Sequence, residues 1–236
     1  MDQHQKQELY EAFVKNEASL KSALNHMRLL INIELRSKKS DKITSLTKTY
    51  AFLFCSWSES NFSKVIHTPY GLTISEIEDI QSKKKKKGIG EAWKECVEIS
   101  AHKLEAKKSN FTPNVKQKLN RLIKDHVVDP SILRNKLAHG QWVVALNSNN
   151  TAINDKLTTE ISKLDLVKIS SWVELQKMLA DTISSLVSSP NKAFMRDWYK
   201  DITKIEETIQ KNTSKTLERH IEILDRRSRP NTCQNQ

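Results

Sequence analysis

The sequence predicts an all-α fold, a bundle of long amphipathic helices, and three observations favour it. The 236 residues include only 4 glycines and 5 prolines, which is few for a β protein with many turns. Apolar residues recur at helical spacing over most of the chain. Strand-like residues are confined to one short passage, residues 142–153. We therefore expect helices to build the core and one small β-hairpin to interrupt them.

Two long helices are predicted at the N-terminal end. Apolar periodicity favours a first helix over residues 3–36 and a second over residues 42–66, separated by the charged segment 38–41. One stripe of the second helix contains four apolar residues and one carboxylate: Phe52, Cys55, Glu59, Phe62 and Ile66. A half-buried carboxylate is costly unless it is paired, so we expect Glu59 to meet a cation or donor from another helix. The alternative is a place at the edge of the stripe, where the carboxylate reaches water.

The middle of the chain contains a lysine run between predicted helices. Thr73 and Glu76 have the spacing of a capping box at the start of a short helix. The five lysines that follow repel one another, which predicts an exposed, mobile loop over residues 82–90. They are candidate contacts for an RNA backbone, or else a solubilising connector: Lys83, Lys84, Lys85, Lys86 and Lys87. Two further helices are predicted over residues 93–104 and 112–127.

A short helix with clear end signals is predicted next. Asp129 suits the N-cap, Pro130 suits the first helical position and Gly140 suits the residue that ends the helix. Val128, Asp129 and Pro130 are expected to separate this helix from the preceding one. The segment between these signals contains the residues of greatest chemical interest.

Three side chains on this helix suit phosphoryl chemistry. Arg134 always carries charge and can fork onto phosphate oxygens, and His139 can exchange a proton near neutral pH. Asn135 and His139 are four residues apart and share a helix face, whereas Arg134 and His139 are five apart and diverge around the axis. The structural alternative is that Arg134 is a solvated surface cation, Asn135 is a capping residue and His139 is a cation placed favourably at a helix C-terminus.

The C-terminal third is predicted to be helical after the hairpin. A long helix is expected over residues 161–186, broken at residues 188–190, and a last helical segment over residues 194–224, interrupted around residues 212–214. We therefore expect residues 1–189 to form the helical domain, residues 190–227 to form an extension and residues 228–236 to be disordered. The extension is expected to pack on the bundle or on a dimer partner.

Composition restricts the classes of partner and site. Lysine and arginine number 39 against 28 acidic residues, a net charge of +11, which favours a polyanionic partner such as RNA or DNA over a merely basic surface. Three distant cysteines indicate neither a zinc ribbon nor a disulfide framework, and a reducing cytoplasm fits best. No signal-like or membrane-spanning stretch is apparent, and no motif predicts a metal or cofactor.

The pattern Arg134-Asn135-x-x-x-His139 resembles the Arg-x(4–6)-His signature of the HEPN superfamily, in which a polar residue often follows the arginine. The trailing Gly140-Gln141-Trp142 also resembles bacterial HEPN-like nucleases. The resemblance implies a HEPN-like bundle and a metal-independent endoribonuclease of toxin or antiphage-defence type. It further implies a homodimer, because HEPN sites usually form where two protomers bring their motifs together.

The resemblance assigns roles to individual residues. His139 is expected to transfer protons, Arg134 to stabilise transition-state charge, Asn135 to hydrogen-bond the phosphate or the motif and, by analogy, Glu59 to orient Arg134 or His139. Lys136 is a further candidate RNA contact because of its charge and not because of the resemblance. The expected substrate is RNA, with transfer RNA as one candidate, and the expected products carry 2′,3′-cyclic phosphate and 5′-hydroxyl ends. Such an enzyme implies an antitoxin or another regulatory protein partner. The alternative function is a non-catalytic RNA-binding or protein-assembly module; a DNA-binding regulator is weaker, because no helix-turn-helix is evident.

Overall fold

The computed structural model describes residues 2–37, 40–105 and 110–226, and these are almost entirely helical. The helices are α1 (Gln3–Ser37), α2 (Ser40–Ile66), α3 (Ile74–Lys87), α4 (Ile89–Ala101), α5 (Phe111–Ile123), α6 (Asp129–Ala138), α7 (Asp155–Ser162), α8 (Leu166–Ser188), α9 (Met195–Thr213) and α10 (Leu217–Arg226). Two π-helical turns lie at Lys124–Val128 and Pro190–Phe194. The predicted all-α class is confirmed. None of the helices in the described ranges combines the length and the apolar character that a membrane span requires.

Helix α2 runs through the middle of the molecule and contacts both halves of the core. It forms an antiparallel hairpin with α1, so that Glu17 near the middle of α1 accepts a hydrogen bond from Trp57 Nε1 at 2.9 Å. Its C-terminal half joins α3, α4, α5, α8 and α9 in one apolar cluster, in which the Phe62 and Trp93 rings lie 4.8 Å apart. Its N-terminal half joins α1, α6, α7, α8 and α10 in a second cluster. Both clusters hold α2 rigidly, and α2 carries Glu59.

The lysine run is helical, so the predicted loop over residues 82–90 is wrong. Lys83–Lys87 forms the last turns of α3, and only Gly88, with a φ of +88°, separates α3 from α4. Lysine is a good helix former, and cations at a helix C-terminus are favoured by the macrodipole. Carboxylates on other helices offset the mutual repulsion: Lys83 Nζ lies 3.1 Å from Glu95, and Lys84 Nζ lies 3.5 Å from Glu59.

The helix that carries the motif is continuous with α5, so the predicted break at Asp129 is wrong. Helix α5 passes through the first π turn directly into α6, and Asp129 is helical and makes no side-chain cap. In a regular helix the ring of Pro130 would clash with the carbonyl group of His126. A wider π turn before the proline accommodates the ring and keeps the chain helical.

The predicted hairpin over residues 142–153 is not confirmed. Among the described residues, pairing in this segment is limited to one antiparallel bridge between Leu146 and Ile153. Side chains occupy neighbouring amides that a ladder would use: Gln141 Oε1 accepts from Leu146 N–H at 2.8 Å, and Thr158 Oγ accepts from Ala145 N–H at 2.9 Å. The segment therefore folds as a compact loop against α6 and α7.

The C-terminal helices pack on the rest of the chain. The predicted helix over residues 161–186 is two helices, because Asp165 caps α8 by accepting a hydrogen bond from Lys168 N–H at 2.8 Å. The predicted interruption near residue 213 separates α9 from α10. Helix α9 packs on α8 through Trp198 and Ile205, and α10 packs on α1. The segment predicted to be disordered, residues 228–236, lies outside the described residues, as does Cys233.

Gly90 of α4 packs closely against Val128 in the first π turn, which leads directly into α6. A Cβ atom at Gly90 in α4 would overlap Cγ2 of Val128 in the first π turn. Alanine normally favours a helix over glycine, but here we expect Gly90→Ala to lower the free energy of unfolding by about 1–3 kcal/mol. Urea denaturation measures the change. Combining it with Val128→Ala removes the overlapping methyl groups, so the double variant should lose less stability than the sum of the two single variants. Additive losses would contradict a close approach at this position.

Candidate active site

The C-terminal end of α6 is held by a network of backbone hydrogen bonds. Gly140 adopts a φ of +75°, and its N–H donates to Leu137 O at 3.1 Å, while Gln141 N–H donates to Lys136 O at 2.9 Å. These two bonds define a Schellman motif, which requires the left-handed backbone that glycine adopts without strain. The indole Nε1 of Trp142 also donates to Leu137 O at 2.9 Å. His139 therefore occupies a fixed backbone position at the helix end.

Arg134 and Glu59 are brought together by the packing of α6 on α2. Arg134 Nη2 donates to Glu59 Oε1, and the second carboxylate oxygen lies 3.5 Å from Lys84 Nζ of α3. The two side chains remain partly accessible, with exposed fractions of 26% for Arg134 and 38% for Glu59. Water screens such a pair, so the contact orients the guanidinium more than it stabilises the fold. Glu59 thus joins three helices at one point.

The Arg134 guanidinium retains unused hydrogen-bonding capacity. Its Nε is buried and, among the described residues, has no hydrogen-bond partner. The neighbouring Cys55 thiol is buried, and burial raises the pKa of Cys55 to about 12 despite the nearby guanidinium, so the thiol stays neutral. A surface depression of about 360 Å³ opens beside this group, lined by Phe52, Cys55, Ser56, Glu59 and Arg134. An anion that enters the depression reaches the arginine directly.

Asn135 and His139 lie apart from Arg134. Both side chains are exposed, and neither makes a hydrogen bond or ion pair within the described part of the chain. Five residues along an α-helix correspond to a rotation of about 140°, which directs His139 away from the α2 face that Arg134 contacts. Asn135 and His139 instead share an outward face with Ile132, which is also exposed. The structure therefore brings Arg134 to Glu59 and does not bring Arg134 to His139 within one chain.

The candidate RNA-binding lysines differ in accessibility. Lys85, Lys86 and Lys87 are exposed, whereas Lys83 and Lys84 are half-buried in their ion pairs. Lys136 is also half-buried and donates to Leu146 O at 2.7 Å, which ties α6 to the following loop. The run begins beside Glu59, so its charge adds to that of Arg134.

The loop after α6 presents an apolar surface that sequence reasoning missed. Val143 is 73% exposed, and Val144 and Ile153 are also exposed. The sequence predicted a small hairpin here, and without a strand ladder these side chains are exposed on a loop. Lys48 of α2 donates to the Trp142 carbonyl group and lies over the Trp142 ring, which fixes the loop near the motif. Contiguous exposed apolar side chains mark interaction surfaces.

Neither a metal cluster nor a known relative adds to this description. Among the described residues, no group of three or more histidine, cysteine, aspartate or glutamate side chains is arranged to hold a metal ion. Comparisons with protein-family models, with curated proteins and with solved structures found no match to this chain.

Proposed function

We propose that the protein is a metal-independent endoribonuclease of toxin or antiphage-defence type, active as a homodimer with a composite site. The observation that carries the proposal is the placement of His139 and Asn135. Both are exposed on one face of a rigid helix end, and neither has a structural partner among the described residues. A histidine held in this way is free to act on a substrate. The resemblance of Arg134, Asn135 and His139 to the HEPN motif supports the same function.

The chemistry of RNA cleavage matches these side chains. RNA carries its own nucleophile, so a base removes the 2′-hydroxyl proton, the 2′-oxygen attacks phosphorus and the bond to the 5′-oxygen breaks. An acid then protonates the leaving 5′-oxygen. His139 serves in proton transfer, Arg134 offsets the charge that builds on the phosphorane, and Asn135 hydrogen-bonds the phosphate. The products are a 2′,3′-cyclic phosphate end and a 5′-hydroxyl end.

A two-fold dimer accounts for the separation of the catalytic groups. One chain supplies one accessible motif histidine, whereas the reaction uses an acid and a base. In an isologous dimer the same surface contacts its own copy, so two copies of His139 and Arg134 meet at one interface. The exposed Ile132 and the apolar loop at Val143 and Val144 supply surface for that contact.

Glu59 and the lysines assist substrate binding in this proposal. Glu59 keeps Arg134 extended beside the depression, and an incoming phosphate exchanges places with the carboxylate. Lys85, Lys86 and Lys87 lie at the end of α3 and contact neighbouring phosphates. Uncontrolled cleavage of cellular RNA is harmful, so the proposal includes a protein partner or a trigger that restrains the enzyme in the cytoplasm.

A direct test is incubation of the purified protein with total RNA and with transfer RNA in EDTA. We expect discrete cleavage, with 2′,3′-cyclic phosphate ends and 5′-hydroxyl ends when the products are mapped. The control is the double variant Arg134→Ala and His139→Ala, purified in parallel, which reveals any contaminating nuclease. Cleavage that requires added metal, or that persists unchanged in the double variant, would contradict the proposal.

The contact between Arg134 and Glu59 favours a second candidate function. An arginine already paired within its own chain is suited to a non-catalytic module that binds RNA or assembles with protein through the apolar loop. This module predicts RNA binding in a gel-shift assay without cleavage by the wild-type protein. It also predicts that expression of the wild-type chain is no more toxic than expression of the double variant.

A further inference from the structure

A deep cleft lies on the side of α2 opposite the candidate active site. It measures about 730 Å³ and is bounded by α1, α2, α8 and the turn from α9 to α10. Tyr50 of α2 faces the cleft, and Glu59 is nine residues further along the same helix. Nine residues correspond to a rotation of about 180°, so the two side chains leave α2 in opposite directions. The cleft is therefore separate from the Arg134 depression.

The floor of the cleft is apolar and contains a buried polar contact. Leu24, Tyr50 and Leu166 are buried there, and Val173 is half-buried beside them. The Tyr50 hydroxyl lies 3.3 Å from Ser170 Oγ, which places two hydrogen-bonding groups at the base of the cleft. A pocket with an apolar floor and a few convergent polar groups is typical of small-molecule sites, and the volume falls in the usual range of about 300–1,000 Å³.

The rim of the cleft is strongly cationic. Four cations line it without an ion-pair partner in the described ranges: Lys21, Arg28, Lys211 and Arg219. Lys215 also lines it, 3.4 Å from Glu174, and Glu174 is the single carboxylate among the lining residues. Across the described ranges about half of the lysines and arginines lie within ion-pair distance of a carboxylate, whereas at this rim only Lys215 does. Unpaired like charges around one cavity repel one another, and a bound anion relieves that repulsion.

We propose that this cleft binds a nucleotide, with its base on the apolar floor and its phosphates on the cations of the rim. Arg28 and Arg219 provide the forked donors that suit phosphate oxygens. Hydroxyl groups at Ser170, Ser171 and Thr216 line the same space and suit a ribose or a base edge. A strand of RNA fits less well, because Tyr50, the aromatic residue that lines the cleft, is only 3% exposed and offers no open face for stacking. This site is independent of the proposed nuclease function.

Isothermal titration calorimetry with each of the four ribonucleoside triphosphates tests the proposal. We expect at least one of them to bind the wild-type protein. The double variant Arg28→Gln and Arg219→Gln should weaken that binding tenfold or more, because each arginine donates charge-assisted hydrogen bonds to the phosphates and these contribute substantially to the free energy of binding. The matched control is Arg121→Gln with Arg226→Gln, which removes two exposed arginines that do not line the cleft. The control should bind as the wild type does, and thermal melts of both variants verify folding.

Three results would overturn this assignment. The first is the absence of measurable heat with all four triphosphates at millimolar concentration. The second is inorganic tripolyphosphate binding as tightly as the best nucleotide, since the apolar floor would then contribute nothing. The third is a single-stranded RNA oligomer that binds while nucleotides do not and that loses affinity in the cleft variant, which would make the cleft a polyanion groove. None of these outcomes depends on whether the protein cleaves RNA.

Discussion

Replacing His139 with alanine is expected to lower the rate of RNA cleavage by about 10²–10⁴-fold, because the reaction loses its proton-transfer group. The free energy of unfolding should change by less than about 0.5 kcal/mol, since the side chain is exposed and makes no hydrogen bond or ion pair with the described residues. Single-turnover cleavage and urea denaturation measure the two quantities. His26→Ala is the matched control, because His26 is an exposed histidine on α1 outside both sites.

Mixed dimers test whether two copies of His139 act together. If both copies are needed, a one-to-one mixture of wild-type and His139→Ala chains that exchange freely should retain about one quarter of the activity, because only wild-type homodimers are complete. Independent sites would retain about one half. Mixing wild-type chains with His26→Ala chains should retain full activity. A retained activity of one half would contradict a composite site. Full cleavage by the His139→Ala protein alone would show that this histidine takes no part in the reaction.

The start of α3 and the end of α6 were predicted from the sequence, because residues close to these ends determine them. The Thr73–Glu76 capping box forms as predicted, with Glu76 N–H donating to Thr73 Oγ at 3.2 Å. Gly140 ends α6 in the left-handed conformation expected of it. Both features depend on residues within a few positions of one another. They are therefore visible in a sequence without any knowledge of the tertiary structure.

Predictions failed where distant residues decide the conformation. The lysine run was expected to be a loop because its charges repel, but Glu95 and Glu59 approach it from other helices. Likewise, the π turn before Pro130 packs against α4 and α8, and the proline alone does not reveal those contacts. A sequence reports the charge of a segment but not the counter-charges that the fold supplies.

The candidate site was accessible to sequence reasoning only in part. The interruption of an apolar stripe by Glu59 predicted a cation or donor from another helix, and the structure places Arg134 and Lys84 beside it. The nucleotide cleft was not visible, because its cations come from α1, α9 and α10 and are spread over some two hundred positions of the sequence. Only the packing of these helices collects them around Tyr50.

Arg134→Lys is the second substitution with a large expected effect. Lysine keeps the positive charge but loses the planar fork, so we expect cleavage to fall by about 10²–10³-fold while the folded state is nearly unaffected. The loss should appear mainly in kcat, with a smaller rise in KM, because the arginine contacts the bound phosphate and acts most strongly on the charge that develops in the transition state. A control variant, Lys85→Ala with Lys86→Ala, should instead raise KM and reduce the salt dependence of RNA binding, since the proposal assigns these exposed lysines to the phosphate backbone of the RNA alone.

Glu59 decides between two interpretations of the Arg134 result. If Glu59 orients the arginine for catalysis, Glu59→Gln, which preserves size and a hydrogen-bond acceptor, should lower kcat about tenfold or less, and Glu59→Ala should lower it further. If the ion pair only joins α2 to α6, both variants should lower the free energy of unfolding and leave kcat unchanged at temperatures where the protein is folded. Arg134→Lys should then also leave kcat unchanged, because lysine can replace arginine in a simple surface pair. A fall in kcat for Arg134→Lys together with Glu59→Ala therefore requires that the pair positions the guanidinium for the reaction.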